Sequence, residues 1–125
     1  MSFEVFNETK KAIPDAPLVF IAQEILGKNC DLNLIIVSPT KIKELNLMHR
    51  GKDETTDILS FPLSENSGEI YICLEETEKK AVEFDRTYEN FFKYLFIHGC
   101  THLKGYDHSD TMEALEKKVR QKFGI

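Results

Sequence analysis

Apolar residues recur along the chain at two different periods, and the switches between them mark out the expected elements. Residues 2–6 alternate weakly, as a short strand does. Across residues 16–26, Leu18, Ile21, Ala22 and Ile25 share one helical face, and Gly27 supplies the stop. The apolar run over residues 32–37 predicts a buried strand. Ser38 before Pro39 is a favourable helix start, a capping hydroxyl followed by a proline whose missing N–H costs nothing there. Ile42, Leu45 and Met48 then carry an apolar stripe as far as Gly51.

Residues 58–63 and 69–73 are two strand-like runs, and the polar stretch between them predicts a hairpin-like connection. Residues 74–84 read as an acidic amphipathic helix. Residues 88–104 place Phe91, Phe92, Leu95, Phe96, Ile97, Cys100 and Leu103 on more than one side, which predicts a helix buried at the centre of the fold. Residues 111–123 predict a last helix. Interleaved helices and strands with crossovers imply an α+β fold, an α/β sandwich in which about four strands form a mixed sheet against about five helices.

Composition narrows this further. A chain of 125 residues, 42% hydrophobic and 10% aromatic, carries one core, and the expectation is a single domain over residues 1–125. No run of about 18 apolar residues occurs. The opening residues lack the basic and apolar regions of a secretory signal, so the expected location is the cytoplasm, away from membranes. Cys30, Cys73 and Cys100 are odd in number and widely spaced, as reduced, mostly buried thiols are. The net charge of -5 argues against binding nucleic acid through a broad basic surface, so any such contact is local. Lys117, Lys118, Arg120 and Lys122 form the best basic cluster, and at helical spacing they read as a solvated face.

The chemistry concentrates in residues 98–108, which have the form HxxxHxxGxxH. His98 and His102 stand one helical turn apart on one face. Gly105 ends the helix, and the returning chain brings in His108. Three histidines and an open fourth position suit one catalytic zinc ion per chain, although other divalent metals favour the same nitrogen ligands. Asp107 has three readings here: orienting an imidazole, accepting a proton, or capping the next helix. Metzincin proteases share the spacing but place a glutamate base directly after the first histidine, and this chain has Gly99 there. Peptide hydrolysis is therefore disfavoured. Cys100 lies two residues from His98, so it points away from that ring and belongs to the core.

Two stretches together resemble the YbeY family of bacterial ribosomal-RNA maturation endoribonucleases. His98-Gly99, His102-Leu103 and Gly105-Tyr106-Asp107-His108 fit its HGxxHLxGYDH signature, with Cys100 and Thr101 in place of its usual apolar pair. Leu45-Asn46, Arg50-Gly51-Lys52-Asp53 and residues 56–62 fit a second signature, and residues 68–72 look like its following strand. The resemblance runs from about residue 31 to the C-terminus, in a chain somewhat short for the family. It implies zinc-dependent hydrolysis of single-stranded RNA in ribosomal RNA maturation and ribosome quality control. The partners implied are ribosomal RNA and the ribosome or its small-subunit proteins. The expected metal ligands are His98, His102 and His108, and the expected catalytic residues are Arg50, His98 and Asp107. Arg50 would be a surface charge by default; matched to the family motif's arginine, its planar fork becomes a phosphate clamp. Lys52 would add a second positive contact, and His49 stays outside the site. Two other functions fit the motifs: a non-catalytic ribosome-assembly factor with a structural metal, and a metallohydrolase of small phosphoesters.

Overall fold

The chain runs β1 (Ser2–Asn7), α1 (Leu18–Leu26), β2 (Asp31–Ile36), α2 (Pro39–Arg50), β3 (Ile58–Ser64), β4 (Ser67–Ile72), α3 (Leu74–Glu83), α4 (Tyr88–Lys104) and α5 (Asp110–Phe123). This is a computed structural model, and it describes residues 1–106 and 109–125. The four strands form one mixed sheet in the order β1-β2-β4-β3. β1, β2 and β4 are parallel, and β3 pairs antiparallel with β4 as the hairpin reading expects. Among the described residues five helices accompany the sheet, and the α+β expectation agrees with them.

β2 lies inside the sheet with its apolar residues Leu32, Leu34, Ile35 and Ile36 buried on both faces, as a strand covered on both sides requires. Leu32, Leu34 and Ile36 meet Ile21 and Ile25 of α1 and Phe92 and Phe96 of α4. Ile35 and Val37 face the other way, onto Ile42 and Leu45 of α2. The sheet is thus sandwiched between α2 and a layer built on α1, α4 and α5. β3 is left at an edge, where Pro62, unable to donate to a ladder, is tolerated.

Three local expectations are corrected. α1 begins at Leu18 rather than at residue 16, because a residue preceding proline is pushed out of the helical region and Ala16 precedes Pro17. Met48 is 75% exposed, and α2 buries Ile42, Leu45 and Asn46 instead. At about 100° per residue, position 46 lies about 40° round the helix from Ile42, whereas position 48 lies about 240° round. The Asn46 amide donates to the Glu54 carbonyl at 2.9 Å and ties down the following loop. Arg120 leaves the basic face: its side chain is 12% exposed, its guanidinium lies 5.0 Å from the Tyr94 ring centre, and it bonds Glu113 at 3.1 Å. Lys117, Lys118 and Lys122 remain exposed.

α4 has the bounds expected of it. The Thr87 side chain accepts the Asn90 N–H at its start, and Gly105, at φ 105°, closes its end in the left-handed conformation that glycine adopts without strain. Cys30, Cys73 and Cys100 are free and buried. Burial pushes the Cys73 and Cys100 thiols up, away from the reactive thiolate. Both are expected to resist a disulfide-exchange reagent in native protein and to react on unfolding in guanidinium. Rapid native modification of either would contradict this packing.

Candidate functional site

His98 and His102 project from one face of α4, and their Nε2 atoms stand 3.2 Å apart with the rings nearly perpendicular, at 85°. Two nitrogens on a common tetrahedral zinc, each about 2.0–2.1 Å from it, would stand about 3.3 Å apart. The separation of the pair therefore matches that of two ligands on one small cation. His98 is fixed from behind by Glu116 of α5, whose oxygens lie 2.9 and 3.3 Å from Nδ1. A carboxylate only accepts, so the neutral ring carries its proton on Nδ1 and presents the Nε2 lone pair toward His102.

Glu116 is 3% exposed, and sequence reasoning missed it. The signal was present: between Met112 and Val119, position 116 continues the apolar face of α5, and a glutamate on that face requires a buried partner. Which partner is a tertiary fact, since 18 residues separate it from His98.

The pair opens into a groove of about 820 Å³ between edge strand β3 and helices α3, α4 and α5, shared with Arg50, Asp57, Lys80 and Glu116. Arg50 ends α2, and Gly51, at φ 68°, caps the helix there. Asp57 is nearly buried; it takes the Thr56 hydroxyl at 3.4 Å and faces the Lys80 Nζ at 3.6 Å. Lys52 does not line the groove, and the His49 ring lies against Phe61, with centres 4.7 Å apart. Asp107 and His108 lie outside the described residues. Among the described residues, no three His, Cys, Asp or Glu side chains converge on a common point.

Gly99 has a packing cause. A Cβ there would stand 2.9 Å from Ile58 Cδ1 and 3.1 Å from Ile70 Cδ1, so the position faces the sheet and holds α4 close to it. A glutamate there would be driven into Ile58, Ile70 and Ser60 of the sheet. Gly99→Val is expected to cost roughly 1–3 kcal/mol through overpacking, read as a lower urea midpoint; an unchanged midpoint would contradict the close approach. Cys100 is fully buried, as the helical geometry requires.

A family model described as "Endoribonuclease YbeY" matches residues 3–124. Proteins named endoribonuclease YbeY are similar to this chain: 45% identity over 96 residues for Thermotoga neapolitana, covering 76% of this chain and 62% of the relative. For Thermotoga maritima the identity is 45% over 107 residues, covering 78% and 71%. For Finegoldia magna it is 31% over 130 residues, covering 98% and 85%. The solution structure of a Thermotoga maritima protein superposes with a TM-score of 0.67 at 36% identity, covering 98% of this chain and 89% of that one.

Proposed function

We propose, because the chain belongs to the endoribonuclease YbeY family, that its groove hydrolyses phosphodiester bonds of single-stranded RNA with the help of one zinc ion. The substrate we assign is ribosomal RNA, in maturation and quality control of ribosomes in the cytoplasm, with the ribosome or its small-subunit proteins as partners. No helix among the described residues is long and apolar enough to cross a membrane. The observation that carries the reading is the facing Nε2 pair, backed by Glu116 and sharing a groove with Arg50.

In this reading His98 and His102 hold the ion together with His108. When bound, zinc supplies a water made acidic enough to attack at neutral pH and a positive charge for the phosphoryl oxygens. The chain's own groups do the rest. Glu116 keeps the His98 proton on Nδ1 and the ring's orientation fixed. Arg50 presents paired N–H donors to a phosphate that bridges toward the histidines, orienting it and balancing its growing charge. Lys80 adds a second cation at the groove wall, held by Asp57. Asp107 acts beside the last ligand as a proton acceptor or as the partner that orients it.

The reading is tested by giving the zinc-loaded protein a single-stranded RNA, the same RNA annealed to its complement, and bis(4-nitrophenyl) phosphate. Cleavage of the single strand with little of the duplex is the expected result. Hydrolysis of only the small diester would make this a small-phosphoester hydrolase. RNA binding with no cleavage would favour the assembly factor, which the net charge of -5 does not disfavour. Glu116→Gln is expected to weaken zinc affinity roughly tenfold to a hundredfold, measured by competition with a chromophoric chelator. Wild-type affinity in that variant would remove the carboxylate from the account.

A further inference from the structure

The groove is larger than a phosphate and two imidazoles require, and its wall away from β3 is aromatic. Residues 91, 94, 95 and 98 recur every three or four positions on α4, so Phe91, Tyr94 and Leu95 continue the histidine face toward the helix N-terminus. At 1.5 Å rise per residue, Tyr94 lies about 6 Å and Phe91 about 10 Å along the axis from His98. Phe84 sits against both rings, with centres 5.0 Å from Phe91 and 5.8 Å from Tyr94, and it also lines the groove. Unlike Phe91, which is 1% exposed, Phe84 keeps 45% of its surface in water.

A rigid corner holds Phe84 in this position. It follows the last turn of α3, where Phe84, Asp85 and Arg86 donate backbone N–H groups to the carbonyls of Lys80, Val82 and Ala81 at 3.2, 3.2 and 3.0 Å. Asp85 has φ 53°, a left-handed conformation that costs a non-glycine residue roughly 1–2 kcal/mol. Its neighbour Arg86 bonds Asn90 and lies 4.6 Å from the Tyr94 ring centre. Lys80, one turn before Phe84 on the same face, brings a cation to the same wall. An exposed ring braced by two others beside cations is what single-stranded nucleic acid seeks: a flat face for a base and positive charge for the backbone.

We propose that Phe84, backed by Phe91 and Tyr94, stacks a nucleobase of the RNA whose phosphate lies at His98 and His102, making this wall a base subsite. The inference rests on the RNA substrate proposed above. Every base has a π-face, so such a subsite selects for unpaired bases and tolerates sequence. Duplex RNA keeps its bases stacked internally and offers none to Phe84.

The chain contains no tryptophan, so Phe84→Trp places a single tryptophan at the wall, which can be excited selectively over the tyrosines. Adenosine monophosphate is expected to quench this fluorescence saturably, and ribose 5-phosphate at the same concentration is expected to leave it unchanged. Phe84→Ala, checked for wild-type melting, is expected to raise KM for a single-stranded RNA roughly fivefold to a hundredfold with little change in kcat, and Phe84→Tyr to restore it. Equal quenching by both small ligands, no quenching by either, or an unchanged KM in the alanine variant would overturn the base subsite. Quenching without any RNA cleavage would contradict the nuclease reading instead, and leave the subsite standing.

Discussion

His102→Ala is expected to lose zinc and RNA cleavage together while keeping its fold. His102 faces His98 across 3.2 Å and is only partly buried, so its removal opens no core cavity. Its expected effect on metal-free melting is that of a surface change, about 0.5 kcal/mol or less. The effect on the site is far larger. An ion deprived of one of three protein ligands binds more weakly than one deprived of a supporting hydrogen bond, so affinity should fall by more than about a hundredfold. Losing the ion removes several kcal/mol of charge stabilisation, a rate loss on the order of a thousandfold or more. Zinc content by mass spectrometry under native conditions and cleavage of a labelled single strand read the two effects. Full zinc occupancy in the variant would show that His102 is no ligand.

Arg50→Ala separates holding the ion from using it. Arg50 lines the groove from the end of α2, whereas His98 and His102 stand on α4 and Glu116 on α5. Its loss should leave zinc content at the wild-type level. A donor aimed at a developing oxyanion is worth on the order of a hundredfold to a thousandfold in rate, and that is the expected fall in kcat. Arg50→Lys should recover only part, since a point charge cannot match two phosphate oxygens at once. Cleavage within about threefold of wild type in Arg50→Ala would return Arg50 to the surface charge that its sequence neighbourhood alone suggests.

Where the fold around the candidate site was legible in the sequence, local periodicity wrote it, and the family was legible in the motifs. The HxxxH spacing and the stop at Gly105 depend only on helical geometry, and α4 runs over Tyr88–Lys104 as the apolar pattern requires. The apolar run of residues 34–37, with Leu32 before it, foretold a buried strand. What escaped is tertiary. Glu116 acts on His98 across 18 residues, and neither position names the other. Arg120 sits in a basic run yet turns inward, because Tyr94 and Glu113 are there to receive it. Met48 follows an apolar rhythm but faces water, since Asn46 takes the inward position to hold the loop that follows Arg50. The aromatic wall combines residues from α3 and α4, a juxtaposition with no sequence period at all.

The most direct test of a metal-dependent nuclease in this groove is cleavage of a single-stranded RNA by wild-type protein before chelation, after removal of metal, and after return of one equivalent of zinc. The account predicts activity, its loss on chelation, and its recovery at about one ion per chain. Cleavage that continues undiminished in metal-free protein would contradict it.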